Sequence, residues 1–169
     1  RPLVTFDALG NCSTQQYDTS GNLTTVIDAL GNISSFTYDG QRRMTARIDP
    51  LGRRTTYVWN SDGTLQATVD ARGLRTTNAY DAVGNRARIT KPNGTVIQYA
   101  YDGLDRLTTV SYPDASQVLF AYDANGNRVS MVDSLGTTSY TYDALNRVTT
   151  VLNPFGKSVG YAYDAAANL

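Results

Sequence analysis

The chain has 169 residues but no histidine, no glutamate, only one cysteine and only two lysines. Without histidine, neither Ser–His nor Cys–His activation of a nucleophile is available, and zinc sites that use a histidine ligand are excluded. Because Cys12 stands alone, an intramolecular disulfide and a four-cysteine zinc site are excluded too. Glu and Lys are strong helix formers, so their scarcity predicts a chain with essentially no helix.

Charge and hydropathy remove further classes of function. Fifteen acidic residues, all aspartate, balance fifteen Lys and Arg to a formal net charge of zero. The 13 arginines are spread along the chain with no basic patch, so we expect no nucleic-acid partner. Arg43, Arg106 and Arg147 lie next to aspartates, which suggests Asp–Arg pairing across strands. No apolar stretch approaches the ~18 residues of a transmembrane helix, so no membrane span is expected.

What the chain does contain is a Tyr-Asp pair that returns every 21 residues. Trp59-Asn60 replaces the pair once, and the step from Tyr122 to Tyr142 is 20 residues. A fixed period of this length is typical of one supersecondary unit that is repeated and stacked. The predicted repeat-signature residues, all structural, are Tyr17, Asp18, Tyr38, Asp39, Trp59, Tyr80, Asp81, Tyr101, Asp102, Tyr122, Asp123, Tyr142, Asp143, Tyr163 and Asp164.

Each repeat also carries two turn motifs of the form D-x-x-G. The first opens at the Tyr-Asp pair and the second opens ten residues later, where Pro50, Pro92, Pro113 and Pro154 take the next position. Asp at the first position, Pro at the second and Gly at the fourth are typical of tight turns. The predicted turn glycines are Gly21, Gly31, Gly52, Gly63, Gly73, Gly84, Gly94, Gly126, Gly136 and Gly156.

Runs of five or six residues rich in Thr, Val, Tyr and Phe separate the turns and predict strands. Strand alternation would place the aromatic residue two before each repeat Tyr, such as Phe36, on the same face as that Tyr. The same alternation would put Leu23 and Ile27 on one face and Val26 on the other. The sequence therefore predicts an all-β fold of about sixteen antiparallel strands, one β-hairpin after another.

Because open twisted sheets rarely exceed ~10 strands without curling, we expect the hairpins to form a curved or spiralling sheet. Residues 1–169 would be a single array of about eight repeats. The array has no atypical repeat at either end, which suggests a fragment of a longer array.

The motif Y-D-x-x-G-R-L-T…D-P-x-G…Y-x-Y-D resembles the Rhs/YD repeat, most closely in residues 38–59 and 101–122. The resemblance implies a family of large secreted or cell-surface proteins that includes bacterial Rhs toxins, shell components of Tc toxins, wall-associated proteins and teneurins. In that family the repeats form a hollow β-shell, which in the toxins encloses a C-terminal toxic domain. The self-cleaving end-plug of the family has no counterpart here, since its signature requires glutamate. The implied partners are the remainder of the array and an encapsulated C-terminal toxin.

The sequence predicts no cofactor, no catalytic residue and no metal ligand. Three hypotheses of function remain. A structural, non-enzymatic shell segment of a secreted or surface-bound bacterial protein is the principal one. A carbohydrate-binding module is the second, with a glycan stacked on exposed rings. A fibre unit that assembles through open strand edges is the third. The turn aspartates could bind calcium or act as paired carboxylates, but capping of the local turn is the simpler explanation.

Overall fold

The computed structural model describes residues 2–7, 10 and 12–164. The predicted array of residues 1–169 also includes positions outside these described residues. The described chain is all β, and its strands follow one another in sequence order in one antiparallel sheet. No helix in this part of the chain is long and apolar enough to cross a membrane. The predicted fold class of serial antiparallel hairpins is therefore confirmed.

Sixteen strands make up the sheet. They are β1 (Pro2–Phe6), β2 (Cys12–Tyr17), β3 (Leu23–Ile27), β4 (Ile33–Tyr38), β5 (Met44–Ile48), β6 (Arg54–Trp59), β7 (Leu65–Val69), β8 (Arg75–Tyr80), β9 (Arg86–Thr90), β10 (Val96–Tyr101), β11 (Leu107–Ser111), β12 (Gln117–Tyr122), β13 (Arg128–Asp133), β14 (Gly136–Tyr142), β15 (Val148–Leu152) and β16 (Ser158–Gly160).

The chain divides into two compact units, one of residues 1–79 with 90–94 and the other of residues 80–89 with 95–169. Each unit contains the same two kinds of hairpin. We call the loops that begin at residues 18, 39, 60, 81, 102, 123 and 143 the Tyr-Asp turns. We call the loops that begin at residues 7, 28, 49, 70, 91, 112, 133 and 153 the second turns.

Hairpins that close at a Tyr-Asp turn share a break in register one residue before the turn. In the first unit, Gln16 pairs with Thr25 and Tyr17 pairs with Leu23, so Thr24 is an extra residue on β3. The same shift occurs in β4–β5 and β6–β7. In the second unit it occurs in β10–β11, β12–β13 and β14–β15. Each such hairpin therefore carries a β-bulge, which adds one residue to the second strand.

The bulge corrects the predicted assignment of faces. Tyr17 pairs with Leu23 and Gln15 pairs with Val26, whereas Ile27 pairs with Thr14. Directly paired residues lie on the same face of a sheet, so Leu23 and Val26 share a face and Ile27 lies on the opposite face. The expectation that Leu23 and Ile27 share a face was wrong, because simple alternation does not allow for the extra residue Thr24.

Where the register is described, hairpins that close at a second turn show no such shift. The strand pairs β3–β4, β5–β6 and β7–β8 are in register over three residue pairs each, close to the turn. The carbonyl groups at the far ends of these strands therefore need partners from elsewhere.

The core is thin. Among the described residues, the buried hydrophobic side chains are Ala46, Ala67 and Val110, and no large side chain is fully buried. A single sheet layer without a second layer on top leaves most side chains half-exposed, so contacts within and between neighbouring hairpins must supply much of the stability.

Candidate functional site

Most turns begin with an aspartate whose side chain caps the turn. In the Tyr-Asp turn of Asp39, the Oδ1 atom accepts the backbone N–H groups of Gln41 at 2.9 Å and Arg43 at 3.0 Å. In the second turn of Asp49, Oδ1 accepts the N–H groups of Leu51 and Arg53 in the same way. These carboxylates are thus engaged inside their own loops, as the turn-capping interpretation predicted.

The hydrogen bonds that reach these carboxylates favour their charged form. The side chain and then the backbone N–H of Arg106 hold the pKa of Asp102 below its usual value. For Asp18 the leading cause of a lowered pKa is the hydrogen bond from the Asn22 side chain. A carboxylate that accepts several N–H groups is a weaker base, so these aspartates stay ionised and poorly suited to general acid catalysis.

Among the described residues, no three His, Cys, Asp or Glu side chains converge in a way that could hold a metal ion. The Asp carboxylates of successive turns each serve their own loop. The arrangement offers single carboxylates spaced by hairpins, whereas Ca²⁺ takes six to eight oxygen ligands.

The fourth residue of most turns has a left-handed backbone, which explains the recurrent glycine. Gly21, Gly63 and Gly52 have φ values of 83°, 91° and 75°, a region open to glycine at little cost. The remaining predicted turn glycines (Gly31, Gly73, Gly84, Gly94, Gly126, Gly136 and Gly156) also have positive φ. Four non-glycine residues take the same conformation at equivalent positions, namely Arg42, Asp105, Ala115 and Asn146.

Two of these left-handed residues accept hydrogen bonds from the preceding Tyr-Asp turn. Asn85 Nδ2 donates to Asp105 Oδ1 at 2.8 Å, and Asn127 Nδ2 donates to Asn146 Oδ1 at 2.8 Å. Asn and Asp tolerate the left-handed region better than most residues. A side chain at this position therefore links one repeat to the next, which glycine cannot do.

The hydroxyl of the repeat tyrosine closes the open end of the preceding hairpin. Tyr38 Oη donates to the carbonyl oxygen of Leu23 at 2.9 Å, and Tyr122 Oη donates to that of Leu107 at 2.8 Å. Tyr101 and Tyr142 make the same bond to the carbonyl groups of Arg86 and Arg128.

At the position without tyrosine, Trp59 uses its indole Nε1 to donate to the carbonyl oxygen of Met44 at 2.8 Å. In β8, Asn78 makes the equivalent bond to the carbonyl oxygen of Leu65, although it occupies an aromatic position two residues before Tyr80. The accepting carbonyl groups of Leu23, Met44, Leu65 and Leu107 lie in strands whose pairing on that side covers only three residue pairs. The repeat tyrosine is thus a structural donor, and its half-buried ring is fixed by this bond.

Arginine at the exit of a Tyr-Asp turn spans two repeats. Arg43 forms an ion pair with Asp39 of its own turn, with Nε and Oδ2 2.8 Å apart. Its guanidinium lies 5.7 Å from the ring centroid of Trp59, and its Nη1 donates to the carbonyl oxygen of Asn60 at 2.9 Å. One side chain therefore joins a turn to both signature residues of the next repeat.

The same contact recurs in the second unit. Arg106 pairs with Asp102, lies 4.7 Å from the ring centroid of Tyr122 and donates to the carbonyl oxygen of Asp123 at 3.1 Å. Arg147 pairs with Asp143 and lies 4.4 Å from the ring centroid of Tyr163. We call the contacts of Arg43, Arg106 and Arg147 the arginine bridges. The predicted Asp–Arg pairing across strands was wrong in its geometry, since each pair closes a single loop and the ring contact makes the link across strands.

In the turns of Asp81 and Asp123, asparagine occupies the turn exit, and an arginine one residue later again contacts aromatic rings. Arg128, after Asn127, lies 5.7 Å from the centroid of Phe120 and 4.7 Å from that of Tyr140. Arg86, after Asn85, lies 5.3 Å from the centroid of Tyr99. Arginine placed on an aromatic face gains cation–π attraction of about 0.5–1 kcal/mol at exposed sites. The arginines were visible in the sequence, but their aromatic partners were not.

The family model described as RHS Repeat matches residues 17–54, 59–95, 80–117 and 122–158. A search of curated proteins gave no significant match to this chain.

Three solved structures share the fold at low sequence identity. A Tc holotoxin pore of Photorhabdus luminescens with a mutated TccC3 superposes with a TM-score of 0.68 and 16% identity, over 93% of this chain and 10% of that chain. A TcdB2-TccC3-Cdc42 structure gives a TM-score of 0.63 and 14% identity, over 99% of this chain and 12% of the other. A TcdB2-TccC3 structure gives a TM-score of 0.62 and 16% identity, over 87% of this chain and 9% of the other. The chain thus spans about a tenth of the length of the toxin chains that it resembles.

Proposed function

Because this chain belongs to the RHS repeat family, we propose that it is a non-enzymatic wall segment of a β-shell that encloses or presents an effector domain. The repeats carry the structural role, and the enclosed domain would carry any toxic activity. The remainder of the array and a C-terminal toxin are the proposed partners, in a bacterial protein that is secreted or held at the cell surface.

The arginine bridges are the observation that carries this proposal. Each bridge ties a Tyr-Asp turn to the aromatic ring of the following repeat, and Arg43 and Arg106 also bond to the turn of that repeat, 17 residues away. A wall needs neighbouring hairpins that hold together without a second layer behind them, and these contacts supply that cohesion.

The state of the aromatic rings favours a wall over a carbohydrate-binding module. The repeat Tyr and Trp rings are half-buried, and the donors of Tyr38, Trp59 and Tyr122 are bound to backbone carbonyl groups. A sugar-stacking row would instead present open ring faces with free hydroxyls.

The test is limited proteolysis of a complete protein that contains this segment. We expect the enclosed domain to resist a protease that digests the same domain when it is produced alone. The double variant Arg106→Ala/Tyr122→Ala, which removes one bridge, should shorten the protection time. Tyr112→Ala is the matched control, because Tyr112 opens a second turn and its side chain is 39% exposed. Digestion at the same rate with and without the repeat segment would contradict the proposal.

A further inference from the structure

An open depression of about 510 Å³ lies beside two consecutive second turns of the first unit. Three arginines line it: Arg47 from β5, Arg53 from the exit of the turn of Asp49, and Arg72 from the turn of Asp70. Arg47 pairs directly with Thr55 across the sheet, and Thr55 also lines the depression. Three guanidinium groups thus face a common space that is open to solvent.

The two aspartates of this depression do not satisfy its arginines. Asp49 Oδ1 accepts backbone N–H groups, and its Oδ2 accepts Arg53 Nε at 2.6 Å. Asp70 Oδ1 also accepts backbone N–H groups, and its Oδ2 accepts Arg72 Nη2 at 3.1 Å. The guanidinium group of Arg47 forms no hydrogen bond or ion pair with any of the described residues. Three positive groups against two carboxylates leave one positive charge and several free N–H donors.

The repeat pattern does not account for Arg47 and Arg72. Positions equivalent to Arg47 hold Val26, Thr68, Val110, Met131 and Val151, each paired with the aromatic position or its replacement on the preceding strand. The position of Arg72, third in its second turn, holds Leu30, Leu51 and Leu135 in other repeats. Both departures from the pattern lie on the same depression, where they bring charge that the hairpin itself does not use.

We propose that Arg47, Arg53 and Arg72 form a binding site for an oxyanion group, namely a carboxylate or a phosphate or sulfate ester. The guanidinium group presents N–H donors in a planar fork that matches two oxygens of such a group. Arg47 supplies the unpaired fork, while Arg53 and Arg72 contribute terminal nitrogens that their aspartates leave free. The ligand would bind from solvent without any change in the strands.

Titration of the 169-residue chain tests the site. Sodium phosphate, sodium sulfate and sodium citrate would each be added at constant ionic strength, with sodium chloride as the reference. The readout is the side-chain Nε–H resonance of Arg47 in ¹H–¹⁵N NMR spectra, assigned by loss of the signal in Arg47→Val. We expect saturable shifts with at least one oxyanion and none with chloride.

Variants separate a built site from general charge attraction. Arg47→Val and Arg72→Leu restore residue types that other repeats use, so both should fold. Arg47→Val, followed through the Arg53 and Arg72 resonances, should weaken binding about tenfold, as loss of a charged hydrogen-bond donor does. Arg88→Ala is the matched control, because Arg88 is an exposed strand arginine outside the depression and other repeats hold alanine at its position.

The outcomes are distinct. Tighter binding of citrate than of phosphate and sulfate would identify a carboxylate as the ligand group. Tighter binding of phosphate or sulfate would identify a phosphate or sulfate ester. The proposal is overturned if no anion gives saturable shifts, or if Arg88→Ala weakens binding as much as Arg47→Val. A circular dichroism melt of each variant checks that a loss of binding does not come from unfolding.

Discussion

The hairpins that close at Tyr-Asp turns and those that close at second turns use similar capped loops but hold their neighbours differently. Both kinds of loop use an Asp or Asn side chain as a cap in most repeats, as Asp39 and Asn153 show. Among the strand pairs whose register is described, the bulges occur in the Tyr-Asp hairpins, and the same edge carries the tyrosine bonds and the arginine bridges. The second turns instead expose apolar side chains such as Leu30 at 88% and Leu51 at 77%. One edge of the repeat is thus tied to the next repeat, and the other edge consists of self-contained loops.

Removal of a tyrosine from each edge should give the largest contrast. Tyr122→Ala deletes a half-buried ring, its contact with Arg106 and its bond to the carbonyl oxygen of Leu107. We expect a loss of about 3 kcal/mol in the free energy of unfolding. Tyr112→Ala, at a second turn, should cost less than about 1 kcal/mol. Urea denaturation of both variants checks this, and equal losses would remove the distinction between the two edges.

The second turn that ends at Gly136 is shorter than the other second turns whose register is described. Asp133 pairs directly with Gly136, so this loop has two residues and accounts for the 20-residue step from Tyr122 to Tyr142. Gly136 has φ 122°, and a Cβ atom there would lie 3.0 Å from Pro154 Cβ in the next second turn.

Gly136→Ala should therefore cost about 2 kcal/mol through backbone strain and this close contact. Gly126→Ala, at φ 88° with open space around it, should cost about 1 kcal/mol. Ala115 already occupies a left-handed position in this chain, so the smaller cost is tolerable. Thermal melts followed by circular dichroism measure both, and a larger loss for Gly126→Ala would refute the role of Pro154.

The hydroxyl of Tyr122 can be tested separately from its ring. Tyr122→Phe keeps the contact with Arg106 but leaves the carbonyl oxygen of Leu107 without this donor. We expect a loss of about 1 kcal/mol, the usual net value of one hydrogen bond. Chemical denaturation of both variants divides the loss in the free energy of unfolding between the ring and the hydroxyl. If Tyr122→Phe leaves that free energy unchanged, water replaces the donor.

Acid should reduce the stability of the folded chain, and the loss at each aspartate cap should be smaller than the effects of the substitutions above. Hydrogen bonds from the Arg43 backbone and side chain lower the pKa of Asp39 in the folded chain from the ordinary value of 3.8. The unfolded chain then binds protons first, so the contribution is present above the unfolded pKa and is lost as pH falls through the folded pKa. The melting temperature should drop below pH ~4.

Asp39→Asn should melt slightly below the parent chain at pH 7 and lose less on acidification. Asn153 already caps a second turn through its Oδ1 atom, so the amide can replace the carboxylate. An acid transition of the same size in Asp39→Asn and the parent would show that Asp39 does not contribute to it.

Local features of this fold were predictable from the sequence, and features that depend on reach across hairpins were not. Turn positions such as Asp49-Pro50 and strands such as Met44–Ile48 follow from nearby residues, because turn chemistry and alternation are local. The bulge residue Thr24 has the same type as its neighbour Thr25, so nothing in the sequence marks it. The partners of Arg106 lie 16 and 17 residues further along the chain, and a long flexible side chain can reach several rings.

The sequence-ordered sheet also has a mechanical consequence. Within each unit, each interior strand is bonded to the strand before it and the strand after it, and short loops connect them. A pull on the chain would therefore load the hydrogen bonds of one strand pair at a time instead of shearing many pairs together. Such a sheet would unfold strand by strand at low force, and each arginine bridge would add resistance at its own strand pair.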